Sequence, residues 1–204
     1  MADVTLVHYG LGNIQAFAHI YQRLNLAVEV ATTAEQLSTA QRLILPGVGA
    51  FDWAMARLNA SGMRDALDDA VLNRKVPVLG VCVGMQMMAE RSDEGTELGL
   101  GWIKGDVRAF DSLSHQRLPL PHMGWNDVTP ARTDCLFAGI DAPKYYFLHT
   151  YCIVPANDDD ALATADYGNN FVSAVRNGNI FGTQFHPEKS HNWGIDLLRN
   201  FARQ

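Results

Sequence analysis

The sequence predicts an α/β fold: a central, mostly parallel sheet flanked by helices, with an antiparallel part added in the C-terminal half. Two observations predict it. Up to residue 90, apolar strand-like runs alternate with helical segments. That alternation builds parallel strands joined by right-handed crossovers. After residue 91 the pattern changes to short strand candidates separated by turns, which reads as antiparallel or mixed pairing.

The elements follow in order. Val4–His8 reads as the first strand and runs into Tyr9-Gly10-Leu11-Gly12-Asn13, a turn with Asn13 as a plausible N-cap. Residues 14–24 read as a helix with Ile14, Phe17, Ala18, Tyr21 and Leu24 on one face. The Gly-x-Gly lacks the third glycine of a dinucleotide fingerprint, so a plain strand–helix turn is the simpler reading. Leu26–Val30 is a second strand, and Leu43–Leu45 ends a third. Residues 52–60 and 63–73 have helical composition, and Val76–Val81 is a short apolar run with the length of a buried strand. Good helix formers follow from Met85 to Glu90. In the second half the strand candidates are 101–109, 125–129, 145–154, 161–165, 171–176 and 179–185, and a helix at about 193–202 closes the chain. No repeat or linker divides the 204 residues, so one domain over 1–204 is expected.

Bulk properties narrow the function class. A net charge of −6 without a basic run speaks against nucleic acid or an anionic membrane as partner. The N-terminus has neither the basic n-region nor the apolar core of a signal peptide. No segment is long enough to span a bilayer. Three cysteines (Cys82, Cys135 and Cys152) form no clustered pair, which points to reduced thiols in the cytoplasm rather than a disulfide framework. His115, His122, His149 and His191 show no ligand spacing, so no metal site is read. Asp158-Asp159-Asp160 reads as a solvated turn.

Cys82 stands out because Gly80 and Gly84 flank it at two residues' distance. That is the Gly-x-nucleophile-x-Gly elbow with cysteine in place of serine, a sharp strand-to-helix turn that needs small neighbours. A cysteine at a helix N-terminus also meets the positive end of the helix dipole, which favours the thiolate. The competing reading is a buried core cysteine. Pro46-Gly47-Val48-Gly49-Ala50-Phe51 follows the third strand. It could offer backbone N–H groups to an oxyanion or be a simple tight turn. Downstream, His186-Pro187-Glu188 follows a strand-like stretch. In an extended segment residues i and i+2 share a face, so His186 and Glu188 would converge. A surface pair is the competing reading for these two alone. Elbow cysteine, glycine loop and His-x-Glu together point to cysteine acyl chemistry, with an imidazole taking the thiol proton and a carboxylate orienting it.

Gly80-Val81-Cys82-Val83-Gly84-Met85-Gln86 and Gln184-Phe185-His186-Pro187-Glu188-Lys189-Ser190 resemble the motifs of class I (triad) glutamine amidotransferases. Tyr9–Asn13, Pro46–Phe51, His122-Met123-Gly124-Trp125-Asn126 and Tyr146-Phe147-Leu148-His149-Thr150-Tyr151 narrow the resemblance to the glutaminase subunits of imidazole glycerol phosphate synthases, over essentially the whole chain. The resemblance implies the amidotransferase fold and no cofactor. It makes Cys82 the nucleophile toward glutamine, His186 the acid/base and Glu188 its orienter. It implies an oxyanion hole from the N–H of Val83 and one from Gly47-Val48-Gly49. Glutamine would be held by Gln86, by Glu94 at its ammonium, and by the backbone at Thr150 and Tyr151. It further implies a heterodimer with a (β/α)8-barrel cyclase subunit, which uses the ammonia in histidine biosynthesis. Met123, Trp125, Tyr146 and Lys189 would lie near that interface. The oxyanion strand would be mis-set until the partner binds its ligand.

One departure stands against the pattern. The family's first motif usually opens with aspartate, and here it is His8-Tyr9-Gly10. The same chemistry with a barrel-like paralogue, amidating a sugar for surface polysaccharide, therefore stays open. So do a stand-alone cysteine γ-glutamyl hydrolase and a non-catalytic regulatory subunit. Against the hydrolase stand Met123-Gly124-Trp125 and Tyr146-Phe147, which hydrolysis alone does not need.

Overall fold

In the computed structural model, which describes residues 2–113 and 118–204, the strand–helix alternation builds one half of an eight-stranded sheet. The first half comprises β1 (Val4–Val7), α1 (Ile14–Arg23), β2 (Val28–Ala31), β3 (Leu43–Gly47), α2 (Phe51–Ala60), α3 (Arg64–Asp68), β4 (Val78–Cys82) and α4 (Val83–Gln86). Then come β5 (Arg91–Ser92), β6 (Gly105–Ala109), α5 (Phe110–Leu113), β7 (His122–Asp127), β8 (Thr129–Pro130), β9 (Lys144–His149) and β10 (Tyr151–Pro155). The chain finishes with β11 (Ala161–Asp166), β12 (Asn170–Asn177), β13 (Ile180–Thr183) and α6 (His191–Phe201). The sheet order is β2-β1-β3-β4-β13-β12-β11-β8. From β2 to β13 every pairing is parallel, and from β13 to β8 every pairing is antiparallel. The expected sheet is present, and its antiparallel part comes from the C-terminal half.

Burial explains the composition of the strands. β1, β3, β4 and β13 are buried at every position, which is why they read as unbroken apolar runs rather than alternating ones. α1 is amphipathic and buries Ile14, Phe17, Ala18 and Tyr21. Asn13 caps it by accepting a hydrogen bond from the Ala16 amide at 3.3 Å, a bond of the kind worth about 1 kcal/mol.

Several expected boundaries move. Helix α4 stops at Gln86 instead of running to Glu90. The carbonyls of Met87, Met88 and Ala89 accept from the amides of Leu100, Ile103 and Gly101, so this segment is sewn to the 99–105 loop. For the same reason residues 101–104 are irregular, and only Gly105–Ala109 is strand. The strand expected over 145–154 is two strands. β9 pairs with β7, and β10 pairs with β6 in a different sheet, so the chain changes sheets at Thr150. The strand expected over 125–129 divides into β7, which begins earlier, and β8. Asp158 and Asp159 are exposed, but Asp160 is buried and accepts from the Asn177 side chain at 3.2 Å. The acidic run is thus only partly a solvated turn.

Candidate active site

Register puts three chain segments side by side. Gly47 at the end of β3 is the sheet partner of Cys82 at the end of β4, and Thr183 of β13 pairs with Val81 on the other flank. All three strands are parallel, so their carboxyl ends open on the same edge, where sites form in open α/β sheets. The backbones are held at near-contact distance. A methyl on Gly84 would overlap the Leu45 carbonyl oxygen, and one on Gly47 would overlap the Gly84 amide. The elbow therefore needs its glycines for close approach of α4 to β3.

Cys82 sits at φ 56° and ψ −116°, a conformation that L-residues avoid. Strain of this kind costs roughly 1–3 kcal/mol and is kept where surrounding structure over-determines it. It turns the thiol out of the strand into the cleft. The sulfur lies 3.9 Å from the Leu148 carbonyl oxygen and 3.9 Å from Gln184 Nε2.

His186 and Glu188 meet, by a route other than the one expected. The strand ends at Thr183, and Pro187–Lys189 is a 3-10 turn, so the two side chains do not share a strand face. Pro187 starts that turn, where its missing N–H costs nothing. Glu188 Oε1 accepts from His186 Nδ1 at 2.9 Å, with both side chains about 5% exposed or less. The His186 backbone is tied down independently. Its N–H donates to the Tyr146 carbonyl at 2.9 Å, and its carbonyl accepts from Ser190 Oγ at 2.6 Å. Burial by itself would lower the His186 pKa. Hydrogen bonds to the Cys82 thiol and to Glu188, with the charges of both, outweigh it and raise the value to about 9. The arrangement holds a protonated imidazole beside the Cys82 sulfur, the partner a cysteine needs to attack a carbonyl.

The cleft over this triad has a volume of about 280 Å³. Val48, Gly49 and Val83 line the side above Cys82, and Gly49 takes φ +86°. Gly47 lies beneath them as packing and does not line the cleft. Gln86, Glu94, Thr150 and Tyr151 line it as well. Gln86 Nε2 donates to the Tyr151 carbonyl at 3.0 Å and to Gln184 Oε1 at 3.1 Å. Glu94 Oε2 accepts from the Phe51 amide at 2.8 Å, at the start of α2. The cleft thus offers a carboxylate, backbone groups at a bend, and N–H groups beside a nucleophile. It can take an amino acid with a reactive side-chain carbonyl.

The family model for "Glutamine amidotransferase class-I" matches residues 5–204. The chain belongs to this family. The "Imidazole glycerol phosphate synthase subunit HisH" of Bdellovibrio bacteriovorus is 54% identical over 201 residues, covering 98% of each chain. Its namesake from Leptospira interrogans is 49% identical with the same coverage. "Imidazole glycerol phosphate synthase subunit HisH 2" of Pseudomonas aeruginosa is 42% identical, again covering 98% of each chain. A structure titled "Crystal structure of glutamine amidotransferase" superposes with a TM-score of 0.76 at 19% identity, covering 98% of this chain and 97% of that one.

In this amidotransferase the surface residues singled out in sequence gather at the rim of the cleft. Met123 and Trp125 project outward from β7, 65% and 42% exposed. Leu148, register partner of Met123, lines the cleft and is 38% exposed. Tyr146 pairs with Trp125, and Lys189 Nζ lies 5.9 Å over the Tyr146 ring while also lining the cleft. Sequence reasoning missed Pro121, Leu148 and His149, which line the cleft, and Gln184, which touches both Cys82 and Gln86. Leu148, His149 and Gln184 stood within the quoted motifs without a role assigned to them, and Pro121 carried no signal. Among the described residues no three His, Cys, Asp or Glu side chains converge as metal ligands, and His115 lies outside the described residues. No helix among the described residues is long and apolar enough to cross a membrane.

Proposed function

We propose that this chain, as one amidotransferase domain over residues 1–204, is the glutaminase subunit of an imidazole glycerol phosphate synthase. It works in the cytoplasm as a heterodimer with a (β/α)8-barrel cyclase subunit. Cys82 Sγ attacks the side-chain amide carbon of glutamine. The thiol proton passes through His186 to the leaving nitrogen, ammonia departs, and a glutamyl thioester remains. Water, deprotonated by His186, then cleaves the thioester to free glutamate and the thiol. Glu188 holds the imidazole. The N–H of Val83 and one from the Val48-Gly49 stretch receive the oxyanion. Glu94 meets the substrate ammonium, Gln86 its head group, and the backbone at Thr150 and Tyr151 its carboxylate. Ammonia leaves toward the cyclase across the face carrying Met123, Trp125, Tyr146 and Lys189. The cyclase turns it into imidazole glycerol phosphate and an aminoimidazole carboxamide ribonucleotide.

The observation that carries this reading is the triad cleft opening directly beside an exposed apolar ribbon. A free hydrolase has no use for that ribbon, and the names of relatives up to 54% identical supply the pathway. A second reading, ammonia supply to a barrel-like paralogue for sugar amidation, draws on His8 in place of the family's aspartate. His8 is exposed at the end of β1 and belongs to neither triad nor cleft.

The test is glutamate release from glutamine by the purified chain alone, with the histidine-pathway cyclase, and with cyclase plus its ribonucleotide ligand. Strong activation in the third condition is expected. Silence in all three with folded protein would overturn the histidine-pathway reading in favour of the paralogue. Full activity of the chain alone would favour the free hydrolase.

A further inference from the structure

A chain of hydrogen bonds, buried at its His122–His149 link, joins the rim ribbon to the floor of the glutamine cleft. It starts at Asn126 on β7, whose Nδ2 donates to the Asp166 carbonyl at 2.7 Å and lies 3.3 Å from His122 Nε2. His122 Nδ1 lies 2.9 Å from His149 Nε2, and His149 Nδ1 lies 2.9 Å from the Tyr151 carbonyl oxygen. That same carbonyl accepts from Gln86 Nε2 at 3.0 Å.

Only one proton arrangement satisfies every contact. A carbonyl can only accept, so His149 Nδ1 carries the hydrogen and its Nε2 is bare. His122 must then donate from Nδ1, which leaves its Nε2 to accept from the Asn126 amide. Asn126 cannot turn over, because its Oδ1 accepts from the Asp127 amide at 2.8 Å and its Nδ2 holds Asp166. Adding a proton to either ring would set two N–H groups against each other. Burial pulls His122 down to about 4 and His149 to about 3, so both stay neutral under ordinary conditions. The rings are also clamped. His122 stacks against Tyr167 at 4.1 Å and Phe147 at 4.8 Å between centroids, and His149 packs against Phe110 and Phe171.

We infer that His149 and His122 are positioning residues for glutamine binding, which lock the Thr150–Tyr151 bend by a directional Asn126–His122–His149–Tyr151 hydrogen-bond chain. This rests on the glutaminase reading. At Thr150 the backbone leaves one sheet for another; the Phe110 amide donates to the Thr150 carbonyl at 3.0 Å, and a side chain then fixes the Tyr151 carbonyl. His149 does so by bonding two residues onward, and it shares the Tyr151 carbonyl with Gln86. Losing His149 therefore loosens the substrate's backbone contacts and one anchor of Gln86 together. It leaves Cys82 at the end of β4, and the His186 backbone keeps its bonds to Tyr146 and Ser190. The signature is a rise in KM for glutamine with little change in kcat.

The test uses the full chain in complex with the cyclase. His149→Phe keeps the aromatic packing and removes the bond, and should raise KM about tenfold while kcat stays within about threefold. In His149→Asn the side-chain amide takes the place of Nδ1 and donates to Tyr151, and KM should return to within about threefold of wild type. The idea is overturned by an unchanged KM in the phenylalanine variant, or by an asparagine variant as weak as it. Imidazole 15N shifts of the wild-type protein test the chain without any variant, and an Nε2–H tautomer at either ring would also overturn it. Absence of glutamate release by wild type itself would remove the glutaminase reading and this inference with it. An active wild type beside an unmoved His149→Phe removes the inference alone.

Discussion

The β3–β4–β13 core and the β7–β9 ribbon flank the same cleft and are built by opposite means. In the core, every strand residue is buried and the backbones touch through glycines. In the ribbon, exposure alternates along β7 from buried His122 to exposed Met123, and large apolar groups stay uncovered. The core buries its surface within this chain and spends conformational strain on aiming one sulfur. The ribbon keeps one face for inner contacts and leaves the other, the proposed partner surface, uncovered. A rigid side for the proposed chemistry and an uncovered side for the proposed partner call for these two solutions.

Variants can break this contrast. The largest effect is expected for Cys82→Ala, with glutamine-dependent turnover of the complex falling on the order of 10⁵-fold or more while ammonia-dependent turnover survives. Persistent glutamine-driven turnover would place the nucleophile elsewhere. Next comes Glu188→Gln, which keeps an acceptor for His186 and removes its charge, with an expected loss on the order of 10⁴-fold in kcat. The pH profile makes this sharper. His186 is raised from 6.5 to about 9, so the protonated form is favoured by the fold. Its contribution to stability is complete below pH 6.5 and fades as pH climbs through about 9. Proton donation to the leaving nitrogen fades over the same window, so activity should fall on the alkaline side near pH 9, and Glu188→Gln should move that fall to lower pH. An unmoved alkaline limb would detach Glu188 from the imidazole.

A third variant tests the core as packing. Gly84→Ala forces α4 away from β3 and should cost about 3 kcal/mol in denaturant unfolding. On the ribbon, Trp125→Ala loses its stacking on His191 and should cost only about 1 kcal/mol of stability while weakening cyclase binding by roughly 2 kcal/mol in titration calorimetry. Equal losses of stability from both would erase the distinction between the two sides. The smallest effect concerns strain. Cys82→Gly should unfold about 1–2 kcal/mol later than Cys82→Ala, because only glycine occupies φ 56° and ψ −116° without penalty.

The contrast also explains what the sequence disclosed. The core was legible because close backbone approach demands glycine at fixed spacing, so Gly80, Gly84 and the Gly47–Gly49 loop mark themselves. The triad followed from types and order, although the His186–Glu188 contact is made by a 3-10 turn rather than a strand face. The ribbon was readable only through resemblance. The pairing of His122 with His149 spans 27 residues and depends on strand register, which no local pattern encodes. The break at Thr150 was hidden for the same reason, since 145–154 is uniformly strand-like and only partner choice divides it.

The strand order carries a consequence in time as well as space. β13 lies between β4 and β12 near the middle of the large sheet, yet among the described strands it comes last in chain order. Chains emerge from their N-termini, and pairings distant along the chain close late. The cysteine is therefore made about a hundred residues before its base, and throughout that interval it has neither His186 nor Glu188 beside it. A nascent or prematurely ended chain holds an unarmed thiol. On the proposed triad, glutamine consumption begins only once β13 has slotted into the sheet.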